Sequence, residues 1–288
     1  MIGSGGVYAL GAVVANYSND INKMNEYLRQ FKNIELSPDL PYELLYGRAG
    51  YLWACSFLNK HIDGAISSTF QRSIVEEIME AGKRFENKGQ SPLMYEWHGK
   101  KYWGAAHGLV GIMHVLMEME LTKEETENVK DTLRYMISNR FPSGNYASSE
   151  GSTTDKLVHW CHGAPGFVLT LAKAAEVFGD EEFVRAAKDA GEVVWRRGLL
   201  KRVGLCHGIS GNAYSFLALY KATREEKFLH RAKAFSVFLE NEALKLISQG
   251  KMHGGDSPYS LFEGIGGMAY LFLDMVDPLK AAFPAYDM

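Results

Sequence analysis

Apolar positions along this chain fall into two alternating patterns. Six segments open with the tetrad G-x-x-G and continue as an unbroken apolar run: "GSGGVYALGAVV", "GRAGYLWACSFL", "GLVGIMHVLMEM", "GAPGFVLTLAKAAEVF", "GISGNAYSFLALY" and "GIGGMAYLFLDMV". Their first glycines are Gly3, Gly47, Gly108, Gly163, Gly208 and Gly264, spaced by 44, 61, 55, 45 and 56 residues. Each run makes about three helical turns and is apolar on nearly every side, the pattern of a helix buried all round. Between them lie amphipathic stretches, read here as Ser73–Lys88, Lys123–Ser138, Asp180–Arg197 and Arg224–Leu246. Apolar residues recur there at helical spacing, as in Phe183, Ala186, Ala187 and Ala190, and acidic residues gather at the starts, where the helix dipole favours them. Period-2 alternation is scarce. The expected fold is therefore all-α: an α/α toroid, a double-layered barrel with buried helices inside and amphipathic ones outside.

A toroid of this kind places every inner-helix start at one end, so residues in equivalent positions meet in space. The residue before each tetrad is Ile2, Tyr46, His107, His162, His207 or Glu263; one place earlier stand Met1, Leu45, Ala106, Cys161, Cys206 and Phe262. Five of the first column can donate or accept a proton, and two of the second are thiols. Two thiolates and one imidazole form the ligand set of a catalytic zinc with an open fourth position. Cys161 and Cys206 supply the sulfurs, and either His162 or His207 the nitrogen. Cys55, inside "YLWACSFL", and His114 read as core; His61, His98 and His230 sit among polar residues and read as solvated.

The chain has 288 residues, with 47% hydrophobic and 23% charged, a net charge of −3 and no lysine/arginine-rich run, so nothing points to nucleic acid. There is no uncharged apolar stretch of about 18 residues, hence no transmembrane segment. The opening "MIGSGGVYAL" lacks a basic n-region and reads as the first repeat, not a signal peptide, and Ile2 breaks the myristoylation pattern. Three widely spaced cysteines do not make a disulfide framework, so a reducing, cytoplasmic setting is expected.

The segments "YGRAGYLWA", "SPLMYEWH", "GAAHGLVGI", "FPSGNY", "LVHWCHGAPG", "GLCHGISGNAY" and "SPYSLFEGIGG" resemble, in order and over essentially the whole chain, the eukaryotic lanthionine synthetase C-like (LanC-like) proteins. The resemblance implies one LanC-like domain over residues 1–288 with one zinc per chain, on Cys161, Cys206 and His207. It also implies glutathione as ligand and glutathione transfer to electrophiles such as dehydroalanine and dehydrobutyrine residues in proteins. The alternative is a zinc- and glutathione-binding signalling adaptor without turnover. The glutathione-contacting lysine falls on Lys201, with Arg202 one residue away; a second contact segment falls on His253 to Asp256, where His253 replaces the family's arginine. His107, with His162 as second candidate, is expected to supply the proton that completes a Michael addition, and Tyr46 or Glu263 to hydrogen-bond a zinc ligand. Arg48 is expected to pair with an acid such as Glu43, or else with a substrate carboxylate, and Asn145 to shape a turn. The family has seven hairpins and six repeats are counted here, so the chain reads as a form lacking the first hairpin, with apolar flanks exposed at the gap.

Overall fold

A computed structural model describes residues 3–84 and 91–288. Six inner helices carry the apolar runs: α1 (Ser4–Tyr17), α3 (Arg48–His61), α5 (Leu109–Leu116), α7 (Ala164–Phe178), α9 (Ile209–Thr223) and α12 (Ile265–Asp274). The outer layer comprises α2 (Ile21–Lys32), α4 (Ser68–Lys83), α6 (Lys123–Ser138), α8 (Glu181–Arg197) and α10 (Glu226–Phe238), the last running through one π-helical turn into α11 (Leu244–Ser248). Successive inner helices pack side by side, α1 on α3, α3 on α5, and so on round to α12, while each outer helix lies against its inner neighbours. The described residues are helical and form no strand beyond isolated bridges. This is the expected α/α toroid. No described helix is long and apolar enough to cross a membrane.

The glycine tetrads mark the helix starts to the residue. Gly3, Gly47, Gly108, Gly163, Gly208 and Gly264 are the six N-caps. None offers a side chain to the orphan N–H groups of the first turn, so the preceding loop folds back and caps the helix with backbone. Arg48, Leu109, Ile209 and Ile265 N–H donate to the carbonyls seven residues upstream, those of Pro41, Tyr102, Arg202 and Pro258, at 2.8–2.9 Å. A loop lying that close leaves no room for a Cβ. At the fourth tetrad position, one added to Gly50, Gly111, Gly211 or Gly267 would strike the carbonyl of Leu44, Ala105, Leu205 or Leu261. The G-x-x-G pattern is thus the imprint of a loop pressed onto a helix end.

Outer helices are capped differently, by polar side chains. Asp20 accepts from Lys23 N–H, Ser67 from Phe70 N–H, and Thr122 forms a reciprocal capping box with Glu125. Ser67 starts α4 at Ser68, five residues before the sequence pattern placed it; the end of the Ser73–Lys88 reading lies partly outside the described residues. Phe183, Ala186, Ala187 and Ala190 are all buried on α8. Cys55 and His114 are fully buried, and burial raises the Cys55 thiol to about 12, an inert core thiol. The helix α1 departs from all-round burial. It packs chiefly on α2 and α3, and Val7, Leu10, Val14 and Tyr17 are exposed, as are Leu273 and Val276 at the end of α12.

The chain's last residues occupy the ring interior. Phe283 and Tyr286 are fully buried, and the Tyr286 ring stacks on His114 at 3.7 Å. The Tyr286 hydroxyl meets Thr170 Oγ1 at 2.6 Å, and its carbonyl accepts from Trp53 Nε1 at 3.0 Å. Trp160, the neighbour of Cys161, packs on both Phe283 and Tyr286, so this segment floors the end where the helix starts converge.

Candidate functional site

Backbone pairing between neighbouring loops brings the starts of α7, α9 and α12 together. Cys161 N–H donates to Cys206 O at 3.2 Å, and Cys206 N–H to Phe262 O at 2.8 Å. Gly104 and Gly204, four residues before their tetrads, make this possible: a Cβ on Gly104 would hit the Cys161 carbonyl, and one on Gly204 the Phe262 carbonyl. The loop before α7 is built another way. Gly163 is left-handed at φ 105°, Pro165 has no N–H, and Ala164 N–H donates instead to Asn145 Oδ1 at 2.8 Å. Asn145 Nδ2 also donates to Asp155 Oδ1 at 2.7 Å and Leu157 O at 2.9 Å. Fully buried Asn145 therefore fastens the Cys161 loop to the helix, a larger task than the turn expected from "FPSGNY".

The ligating atoms of Cys161, Cys206 and His207 all lie within 4.8 Å of one another. Thiolates on a tetrahedral zinc with bonds of about 2.3 Å sit about 3.8 Å apart, so the donor set and its spacing fit that ion. The contact between the thiols makes them unequal: the Cys161 thiol donates to Cys206, which pulls Cys206 below the usual thiol range against its own burial and pushes Cys161 up. His207 is raised by the Cys206 sulfur beside it. His162 points elsewhere. Its Nδ1 is buried without a partner, next to Gly104, and burial, with the charge of His107, lowers the imidazole to about 4. The electrostatic influence of Glu263 reaches both Cys206 and His207.

At the neighbouring start of α5, His107 is held by a carboxylate. Its Nδ1 lies 2.6 Å from Glu43 Oε2; Glu43 is 2% exposed and also accepts the N–H groups of Leu45 and Tyr46. A carboxylate already accepting two amides is an acceptor for the third, which puts the imidazole proton on Nδ1 and leaves Nε2 free of it. Arg48 does pair with an acid, but with Glu77 at 2.9 Å and not with Glu43, and it also donates to the carbonyls of Leu40 and Ser37. Tyr46 is placed differently from its expected role beside a zinc ligand. Its ring neighbours are His107, parallel at 6.1 Å, and Trp97 at 5.9 Å, so it stands on the His107 side.

On the other flank, Arg202, His253 and Asp256 form a charged group. Arg202 Nη1 is 3.6 Å from Asp256 Oδ2, close enough for ion pairing but too far for a hydrogen bond, and is otherwise buried without a partner. His253 Nε2 is 3.7 Å from Asp256 Oδ1, and the His253 backbone pairs with Lys201. Arg202 depresses both His207 and His159, which puts it beside the cluster, whereas Lys201 is exposed. Three residues here escaped the sequence reading: Glu43 as partner of His107; Trp97, 4.7 Å from the His107 ring; and His159, 5.9 Å from His207 and lowered to about 4, chiefly by burial.

Comparison with known proteins agrees with this architecture. The family model for lanthionine synthetase C-like protein matches residues 1–288. LanC-like protein GCL1 of Arabidopsis thaliana is 44% identical over 303 residues, covering 100% of this chain and 70% of that protein. Glutathione S-transferase LANCL1 of Danio rerio is 40% identical over 307 residues, covering 100% of this chain and 73% of that one. Among solved structures, nisin cyclase superposes with a TM-score of 0.71 at 18% identity, over 96% of this chain and 76% of its own. Cellobiose 2-epimerase from Bacillus thermoamylovorans superposes at 0.56 and 12% identity, over 82% and 74%; both likenesses are of fold. By a family match along its whole length and relatives at 40–44% identity, this chain belongs to the lanthionine synthetase C-like family.

Proposed function

We propose that this chain binds one zinc ion through Cys161, Cys206 and His207 and adds the thiol of glutathione to electrophiles such as dehydroalanine and dehydrobutyrine residues in proteins. The observation that carries the reading is the convergence of those three ligating atoms within 4.8 Å, in a ring that also holds the Glu43–His107 pair. A relative named as a glutathione S-transferase supports the choice of thiol. When bound, zinc supplies a site at which a thiol is held as its thiolate near neutral pH.

The rest of the chemistry falls to the protein's own residues. In the addition, a sulfur–carbon bond forms at the β-carbon, the carbon–carbon double bond becomes single, and the α-carbon takes a proton. The thiol has lost one, so the sum is a simple addition without a further reactant. His107 donates the α-proton from Nε2, once that nitrogen is protonated, while Glu43 fixes the ring and offsets the imidazolium charge. Arg202 and the neighbouring Lys201 offer positive charge to the carboxylates of glutathione; Asp256 and His253 orient Arg202 from the far side. Glu263 tunes the metal ligands through its charge.

The test has two arms. Metal analysis of the purified chain is expected to give one zinc, lost in Cys206→Ala; a folded native protein that binds no zinc would end the proposal. Incubation with glutathione and a dehydroalanine peptide is expected to yield the adduct by mass spectrometry above the uncatalysed rate. A zinc-loaded protein that binds glutathione without exceeding that rate is an adaptor, and the transferase reading is then wrong.

A further inference from the structure

The rings around His107 are arranged as a surface, not as core. Tyr46 stands parallel to the imidazole and is 50% exposed; Trp97 leans over it at 4.7 Å, and Tyr102 closes the group at 6.2 Å. Tyr102 in turn lies 6.1 Å from the ring of His162, which adjoins Cys161 in the chain. Trp97 and Tyr102 are only partly buried.

A special turn sets the position of Trp97. Its N–H and carbonyl exchange hydrogen bonds with Lys100 at 2.9 and 3.1 Å, and both central residues are left-handed, His98 at φ 51° and Gly99 at φ 69°. That is the tightest two-residue hairpin, and holding a histidine in it carries a conformational cost. The turn fixes Trp97, at its near end, against His107.

Around the ring the order is then an aromatic flank at α3 and α5, the thiols and His207 at α7 and α9, and the charged group of Arg202, His253 and Asp256 beyond. The two flanks suit different reactants. Glutathione carries two carboxylates and an ammonium and matches the charged flank. A dehydroamino-acid residue is flat, uncharged and conjugated, and matches an aromatic face.

We infer that Tyr46, Trp97 and Tyr102 form the acceptor subsite, an aromatic wall on which the planar unsaturated unit of a dehydroamino-acid peptide packs, with Trp97 as its main contact. The inference rests on the transferase reading for the identity of the acceptor. The wall brings the α-carbon beside His107 and leaves the β-carbon toward the cluster. It makes Trp97 and Tyr46 determinants of which electrophile is accepted.

Binding tests the wall separately from turnover. Titrate a dehydrobutyrine peptide, and separately glutathione, into the zinc-loaded protein and its Trp97→Ala, Trp97→Phe and Tyr46→Ala variants by calorimetry, with melting point and zinc content alongside. Trp97→Ala is expected to weaken the peptide by at least about threefold, the scale of one lost aromatic stack. Trp97→Phe retains most of the affinity, and glutathione binds all variants alike. In turnover, KM for the peptide rises. If Trp97→Ala does not fold, Tyr46→Ala, at a half-exposed position, carries the same expectation. Unchanged peptide affinity in folded variants overturns the wall, as does a wild type that binds no peptide. A fall in kcat at constant KM also overturns it, because Trp97 would then act only by placing His107. Trp97-dependent binding without any wild-type turnover would uphold the wall and remove the transferase reading instead.

Discussion

Glu43 is 2% exposed and accepts three hydrogen bonds, from two backbone amides and from His107. A buried carboxylate so engaged does more than fill space. It selects one tautomer of His107 and fixes the orientation of its ring, the positioning that a proton donor requires. Replacing His107 by alanine is expected to lower kcat/KM by about 10²–10⁴-fold, the usual contribution of a positioned acid. Glu43→Gln is expected to lose activity as well, because an amide facing Nδ1 favours the wrong tautomer. Zinc content should stay at one per chain in both. Steady-state kinetics beside metal analysis checks this, and wild-type rates in Glu43→Gln would remove the carboxylate from the chemistry. The repeat made Cys161 and Cys206 legible by aligning them in one column before the glycine and narrowed the imidazole to His162 or His207; the family resemblance chose His207. Glu43 and His159 were missed because they stand four places before their tetrads, two columns beyond those compared. That column reads Glu43, Gly104, His159, Gly204 and Ser260: two residues able to do chemistry, and two glycines that admit the neighbouring loop.

The inner helix with its folded-back loop is the element that places the site. In the α9 repeat the first-turn amides Ile209, Ser210 and Gly211 donate to Arg202, Val203 and Gly204, which pins the strip carrying Cys206 and His207 onto the helix end. Gly211→Ala would drive a Cβ into the Leu205 carbonyl, and backbone cannot swing aside as a side chain can. The substitution is expected to cost about 1–3 kcal/mol, as overpacking does, and to reduce zinc retention because the ligand strip must shift. Gly191 is the comparison. It lies within α8, and an added Cβ would meet only the Leu219 Cδ1, 2.6 Å away at the movable end of a side chain. Gly191→Ala also gains helix propensity, about 1 kcal/mol. Urea unfolding and zinc analysis of the two variants separate the cases, and equal, small effects would mean that the loop does not press on the helix as described. The same contrast explains what the pattern resolved. Inner-helix starts were legible to the residue because a steric demand fixes glycine there. The start of α4 was not, because Ser67, a side-chain cap, leaves a single polar residue as its only mark.

For the whole molecule, the ring is only half of the architecture; its interior is filled by the chain's own end. Residues after α12 carry no tetrad and no helical period, and as a single unrepeated segment they had no column to be compared with. Yet they connect inner helices distant in sequence: Trp53 of α3, His114 of α5 and Thr170 of α7 all contact Tyr286. Trp160, next to Cys161, rests on the same ring. Removing the ring should therefore leave a cavity under the candidate site that helices meeting around it cannot collapse to fill. Tyr286→Ala is expected to cost about 3–5 kcal/mol in chemical denaturation, the range for deleting a buried aromatic side chain. Tyr286→Phe is expected to cost about 0.5–1.5 kcal/mol, for it keeps the ring and removes one hydrogen bond while Thr170 Oγ1 keeps His114 Nδ1 at 3.3 Å. Because Trp160 leads directly into the Cys161 loop, the alanine variant should also hold zinc less tightly, and the phenylalanine variant should not. Denaturation of the three proteins at fixed zinc, followed by competition with a chelator, reads both effects. If Tyr286→Ala unfolds at the wild-type midpoint, the C-terminal segment is not the packed floor of the ring, and the site must be held by its loops alone.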